Sequence, residues 1–508
     1  MSECNLYMGS TFLVKCTGKL EVTQVFSPQL PFFRILLSAL TTRIMIEATK
    51  RAEKWLFNII CFHAFLLLVL TNIAAAGTTV SYLPGFDGEL PFKLQTGYIG
   101  VGEWNESQLF YYFVESQRNP EMDPLVLWLA GGPGCSSMFA IFYEQGPLIF
   151  DYANFNGSLP ILHLNPYAWT QANVIYLDQP VGTGFSYSTT QENYHVDDTK
   201  SAAQTYEFLR KWLLEHPHYL TNKLFIGGNS YAGIPLPIVV QHIVNGNEAG
   251  LEPLMNLKGY TLGSPYTDHF IDFNSRLPAA YRLSLISEEL YESAKLHCGG
   301  DYVNINSSNM ECASAINEFK ELVLQIEKDN ILDPICQTAS LGTNEARRQL
   351  EHEPEGVNSC KEYNFVLSEV WANDRRVQEA LHVRENTKGV WERCNSSLAY
   401  TMTVRSSVEF HRNLSEKSLQ VFIYSGDHEL IFTHIGTHNW IRTLNLTKDE
   451  NWRAWFVDGQ VAGYTEKYIN GDYTLIFATV KGAGHVPMEY KPKECHAMMD
   501  RFFAYYPL

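Results

Sequence analysis

The chain has 508 residues, of which 45% are hydrophobic, 13% aromatic and only 18% charged, with a formal net charge of −17. That length accommodates two or three average domains, or one α/β core carrying an insertion, while the low polarity and lack of a repetitive tract argue against a largely disordered chain. The acidic balance deepens beyond residue 76, because the preceding residues hold more Lys and Arg than Asp and Glu, and it argues against a nucleic-acid partner.

The N-terminal region reads as targeting rather than fold. Lys50, Arg51 and Lys54 precede the apolar run "WLFNIICFHAFLLLVLTNIAAA" at 55–76, which ends in three alanines, so residues 45–76 are expected to be a signal peptide cleaved before Gly77. An uncleaved membrane anchor is the competing reading, since about 20 apolar residues span a bilayer; Asn58, His63 and Asn72 weaken it. A signal normally opens a chain, so residues 1–44 are expected to be a dispensable extension and Met45 the working start. The expected location is the secretory pathway, vacuolar or extracellular, without stable membrane insertion after cleavage.

Six N-x-S/T sequons, at Asn105, Asn156, Asn306, Asn395, Asn413 and Asn445, predict a glycoprotein. Seven cysteines follow residue 76: Cys135, Cys298, Cys312, Cys336, Cys360, Cys394 and Cys495. An odd count in an oxidising compartment suggests three disulfides and one spare. No Cys or His spacing suits zinc, so no metal and no cofactor is expected. Cys135 in "GGPGCSS" has a rival reading as a catalytic thiol, which oxidation would oppose.

In chain order, "PLVLWLAGGPG" (124–134), "ANVIYLDQP" (172–180), "KLFIGGNSYAGIP" (223–235), "LQVFIYSGDHE" (419–429) and "YTLIFATVKGAGH" (473–485) each read as a buried strand whose end delivers a loop. Open α/β sheets form their sites at such ends. Ser230 follows a short strand and two glycines and precedes an apolar helix whose first turn tolerates Pro235 and Pro237. This is the layout of a nucleophile elbow, although the usual G-x-S-x-G has Ala232 at its fifth position, with Gly233 after it. The required order of serine, acid and histidine is met by Ser230, then Asp427 or Glu429 in "GDHE", then His485 in "GAGH". His485 would take the serine proton, and one of the two carboxylates would orient the imidazole, leaving the other as a loop carboxylate. For an oxyanion, the amide of Tyr231 pairs with one from the Gly131–Gly132 turn.

The motifs "GGPGCSS", "LDQPVGTGFSYS", "GNSYAG", "YSGDHE" and "GAGH" resemble, in order and spacing, the serine carboxypeptidase family from Val80 to Leu508. Within it, "LPGFDGELPFKLQTGYIGVGE", "LFYYFVESQRNP", "WANDRRVQEALHVR" and "EYKPKECHAMMDRFF" resemble the plant branch of serine carboxypeptidase-like acyltransferases. The resemblance implies an α/β-hydrolase fold with a mostly parallel central sheet. Its core would comprise 77–269 and 366–508, with a helical cap inserted at 270–365. It implies Ser230 as nucleophile, His485 as base, and Gly132 and Tyr231 as oxyanion donors. The family's second Asp in G-D-x-D falls on Glu429, which it implies as the triad acid in place of Asp427. It also implies disulfides Cys135–Cys394, Cys298–Cys312 and Cys336–Cys360, leaving Cys495 free.

The family's peptidases hold the substrate carboxylate with an Asn and two Glu, and those positions here are Ala130, Asn229 and Glu144. The missing Asn and the remaining Glu144, expected to repel a carboxylate, favour an enzyme that moves an acyl group from a sugar ester to an alcohol acceptor over one that trims peptides. A serine carboxypeptidase and a catalytically weak binding glycoprotein are the alternatives. Arg384 in "HVRE" is a candidate for gripping a polar or anionic substrate group, against the plainer reading of an exposed arginine in a salt bridge. The polar stretch 344–358 is a candidate for proteolytic cutting.

Overall fold

The computed structural model describes residues 4–8, 12–16, 77–335, 361–387 and 389–508. The chain divides into two units, Met1–Ala75 and Ala76–Leu508; in the first, Cys4–Met8 and Phe12–Cys16 pair as antiparallel strands. The expected signal segment up to residue 76, the Cys336–Cys360 pairing and the 344–358 stretch lie outside the described residues.

The second unit is built on one twelve-stranded sheet: β1 (Thr78–Val80), β2 (Leu94–Val101), β3 (Ser107–Val114), β4 (Leu125–Leu129), β5 (Asn173–Leu177), β6 (Tyr187–Ser188), β7 (Leu224–Asn229), β8 (Leu257–Gly263), β9 (Gln420–Gly426), β10 (Thr447–Val457), β11 (Gln460–Asn470) and β12 (Tyr473–Val480). Their spatial order is β10-β11-β12-β9-β8-β7-β4-β5-β3-β2-β1, with β6 beside β3. The strands from β12 through β5 run parallel, and both flanks are antiparallel. The central strands read as unbroken apolar runs because each face is covered. Val126 and Trp128 of β4, Phe225 of β7 and Phe422 and Tyr424 of β9 face one core, while their neighbours Leu125, Leu127, Leu224, Ile226, Val421 and Ile423 face the other. This is the two-residue period of a strand.

One face is covered by α1 (Met138–Tyr143), α8 (Lys361–Ala372) and α10 (Pro492–Phe503), the other by α2 (Asp198–Glu215) and α3 (Pro235–Glu248). Helix α2 starts where Asp197 caps it by accepting from the Lys200 amide at 2.8 Å, and α3 starts on Pro235, whose missing N–H costs nothing in a first turn. Between β8 and β9 the chain leaves the sheet for α4 (His269–Asn274), α5 (Arg276–Arg282), α6 (Glu288–Cys298) and α7 (Met310–Val323). These build a small core of their own with Leu277, Leu290 and Ile316, which reaches Leu430 and Ile435 beyond β9. A Cys298–Cys312 disulfide ties α6 to α7. Helix α8 crosses the boundary expected at residue 365 and packs Leu367 and Trp371 on the main core rather than on this insertion. A sixth helix on the sheet, α9 (His434–Thr443), follows β9.

Of the sequons, Asn105, Asn156, Asn306, Asn413 and Asn445 are exposed. Asn395 differs: half-buried, it donates its Nδ2, the atom a glycan would occupy, to the Gly182 carbonyl at 3.0 Å. No helix among the described residues is long and apolar enough to cross a membrane.

Candidate active site

Strand β7 ends at Asn229, and the next residue, Ser230, takes a left-handed φ of 56° before a single tight turn leads into α3. Such a backbone costs a side-chain-bearing residue about 1–2 kcal/mol, and it lifts the hydroxyl off the sheet. Small neighbours are needed on both sides. A Cβ at Gly228 would lie 2.8 Å from the Ala232 Cβ, and one at Gly131 would lie 2.6 Å from the Ser230 Cβ. The Gly131–Gly132 turn after β4 therefore rests directly against the serine, beside the start of the Tyr231 turn. Gly132 itself has φ +116°.

Strands β9 and β12 lie side by side, with Gly426 opposite Val480, so the loops carrying the acid and the histidine emerge together. His428 donates its amide to the Ala483 carbonyl at 3.0 Å. The glycine before His485 serves close approach: a Cβ on Gly484 would lie 2.4 Å from the Asp329 carbonyl. That same carbonyl accepts from the His485 amide at 2.6 Å. The tail of the helical insertion thus clamps the histidine loop, a contact with no signature in the polar run around Asp329.

His485 Nδ1 lies 2.7 Å from Glu429 Oε2 and its Nε2 lies 2.9 Å from Ser230 Oγ. With Nδ1–H donating to the carboxylate, neutral Nε2 is left as an acceptor for the serine proton. Glu429 is 1% exposed, and burial raises its pKa against the opposing pull of His485. Burial also works against a charged His485, but the Glu429 charge and hydrogen bond, joined by Asp329 and Glu144, outweigh it and hold the imidazole above its ordinary value. Asp427 faces elsewhere, accepting from the Gly482 amide at 2.7 Å and pairing with His428 Nδ1 at 2.5 Å, so it fastens the two loops together.

Asn229 and Glu144 also meet. The Asn229 Nδ2 donates to Glu144 Oε1 at 2.8 Å, with the two residues 5% and 4% exposed, and Ala130, buried at the end of β4, offers no polar atom of its side chain. Burial pushes the Glu144 carboxyl up to about 8. The expected repulsion of a carboxylate by Glu144 therefore fails at acidic pH, where this group is a neutral acid. Glu489, four residues beyond His485, is a third raised carboxyl, up to about 7 by burial, and its charge bears on Glu144; nothing in "VPMEYK" marks it as a site residue.

Arg384 is not brought to this cluster. Exposed, it donates to Gln108 at 2.7 Å and Tyr187 at 3.0 Å and lies over the Tyr98 ring, all on the antiparallel flank of the sheet. The exposure of the plainer reading is found, but these partners are neutral side chains rather than the carboxylate of a salt bridge. Cys135 is joined to Cys394, so it is no free thiol, and Cys495 is free but buried. Beside the serine, Tyr231, Tyr266, Phe273 and Phe432 form an aromatic wall, with the Phe432 ring 5.6 Å from the His485 ring.

A sequence model of the serine carboxypeptidase family matches residues 84–505. The chain is 46% identical over 451 residues to serine carboxypeptidase-like 17 of Arabidopsis thaliana, covering 89% of this chain and 98% of that protein. It is likewise 46% identical over 440 residues to serine carboxypeptidase-like 16 of the same plant, covering 86% of this chain and 96% of that protein. The crystal structure of Kex1(delta)p, a prohormone-processing carboxypeptidase from Saccharomyces cerevisiae, superposes with a TM-score of 0.67 over 84% of this chain and 95% of that one, at 21% identity, a likeness of fold. With an α/β-hydrolase sheet and motifs spanning nearly the whole second unit, the chain belongs to the serine carboxypeptidase family as a plant serine carboxypeptidase-like protein.

Proposed function

We propose that this protein transfers an acyl group from a sugar ester, of the glucose-ester class, to an alcohol acceptor through an acyl-Ser230 intermediate. The observation that carries the choice of transfer over peptide trimming is the Asn229–Glu144 pair beside Ala130. The polar atoms that would hold a peptide carboxylate are reduced in number, and one Glu144 oxygen is already committed to Asn229.

The chemistry follows from the distances. Ser230 Oγ gives its proton to His485 Nε2 and bonds to the ester carbonyl carbon, while the amides of Gly132 and Tyr231 receive the oxyanion. His485 then returns the proton to the departing sugar oxygen. An acceptor alcohol repeats the sequence in reverse, releasing its own ester and restoring the serine. Glu429 keeps Nδ1–H in place and balances the imidazolium. The aromatic wall supplies apolar surface for the acyl chain.

A second reading, hydrolysis at a peptide C-terminus, draws on one observation: Glu144, raised to about 8, is a protonated acid at acidic pH and can share its proton with a carboxylate. The test is to give the purified protein a panel of glucose esters with alcohol acceptors, and peptides in parallel. Transfer products are expected from at least one ester. Efficient release of C-terminal amino acids with no transfer from any ester would establish the second reading instead.

A further inference from the structure

Asp198, the first residue of α2, is 0% exposed and has no part in the proton transfers above. Its two oxygens are nonetheless crowded with donors. Oδ1 accepts from the Tyr231 hydroxyl at 2.5 Å and the Tyr400 hydroxyl at 2.7 Å. Oδ2 accepts from the amides of Thr403 and Val404 at 2.6 and 2.8 Å. A buried carboxylate with donors on both oxygens is a rigid node, and hydrogen bonds to a charged acceptor are about twice as strong as neutral ones. Burial, followed by the Asp198 contact, pushes the Tyr231 phenol up, so it remains a donor.

The residues that meet at this node are not arbitrary. Tyr231 is the residue whose amide would receive the oxyanion. The 400–404 segment belongs to a strap, residues 393–407, whose other end is fixed to the turn carrying Gly132. Cys394 is bonded to Cys135, the Asn395 amide donates to the Gly134 carbonyl at 2.9 Å, and the Ser136 amide donates to the Arg393 carbonyl at 2.8 Å. Past the node, Ser407 Oγ donates to the Gly233 carbonyl at 2.7 Å, which grips the elbow a second time. One continuous segment therefore spans both halves of the oxyanion site, and Asp198 is where it is fastened to the Tyr231 half.

We propose that Asp198 is a positioning residue for acyl transfer: through the Tyr231 phenol and the 393–407 strap it fixes the Tyr231 amide relative to the Gly132 turn. The proposal rests on the acyl-serine reading given above. It deepens that reading by naming what holds the oxyanion donors in register, because a donor displaced by a fraction of an ångström loses much of its worth in the transition state and little in ground-state binding.

The test compares the wild type with Tyr231→Phe, Asp198→Asn and the double variant. The measurements are thermal stability, final labelling of Ser230 by a fluorophosphonate, kcat and KM on a p-nitrophenyl ester, and affinity for an aryl trifluoromethyl ketone that forms an oxyanionic hemiketal with the serine. Tyr231→Phe is expected to label fully and keep KM, while kcat and ketone affinity fall together by roughly 10- to 100-fold. The double variant is expected to be no worse than Asp198→Asn, since both changes cut one link. Wild-type kcat and ketone affinity in a folded Tyr231→Phe protein, or losses that multiply in the double variant, would overturn the proposal. If Asp198→Asn does not fold, Tyr231→Phe alone decides. A wild-type chain that is neither labelled nor active overturns the acyl-serine reading and this one with it, whereas a labelled wild type with an indifferent Tyr231→Phe overturns only this one.

Discussion

Two buried glutamates flank the same serine and have opposite characters. Glu429 and Glu144 are both raised by burial, yet Glu429 faces His485 and Glu144 faces the neutral amide of Asn229. The first is hydrogen-bonded to a group that can carry positive charge, so it is suited to be the counter-charge of an imidazolium; the second is hydrogen-bonded to a neutral amide, feels His485 only as a lesser pull at longer range, and is held up to about 8, a neutral acid at acidic pH. Burial alone therefore does not say what a carboxyl does. The partner decides whether it is kept as a charge or as a proton.

The largest effect expected from that contrast is at Glu429. Replacing it with Gln should lower turnover by about 10⁴-fold through loss of the tautomer and the counter-charge, with folding intact. It should also move the acidic limb of the rate profile downward. His485 must be neutral to act, so activity rises with pH through its pKa, and that pKa lies above the ordinary imidazole value because of Glu429. Asp427→Asn should cost far less. A larger loss at Asp427, measured as kcat on the same ester, would reverse the contrast.

Changing the partner on the other side should change the reaction. Ala130→Asn together with Asn229→Glu restores a donor to a carboxylate and a second acid beside Glu144. Each charged hydrogen bond is worth roughly 1.5–3 kcal/mol, so peptide hydrolysis should rise by about 10- to 150-fold in kcat/KM while transfer from sugar esters falls. An unchanged ratio of hydrolysis to transfer would show that this pair does not select the substrate.

The smallest effect concerns stability. Glu144, raised to about 8, and Glu489 and Asp272, each raised to about 7 by burial, hold protons in the folded chain that the unfolded chain gives up near pH 4. The folded state binds more protons through this window, so stability is full below the unfolded values and is lost as pH rises to about 8. Melting temperature should fall by on the order of 5 °C from pH 5 to pH 8, and Glu144→Gln should flatten that slope. A melting temperature that climbs over this range would show that these carboxyls are ionised when folded.

The sequence alone placed Ser230, the "GDHE" acids and His485 at the ends of apolar runs, because parallel strands buried on both faces must read that way and open at one edge. It left Asp427 and Glu429 unresolved on their own chemistry. Two residues apart on an irregular loop, they carry no periodicity that aims one at a histidine 56 residues away. Only the pairing of β9 with β12 turns Glu429 inward and spends Asp427 on the Gly482 amide. The same limit hid the 85-residue contact between Glu144 and Asn229 and the protonation it permits. It hid Asp198 as well, an ordinary residue at a helix start until the strap folds over it. Local pattern fixes which strand a residue ends and which face it starts from; partners brought together across many strands, and the dielectric they create, exist only once the chain is packed.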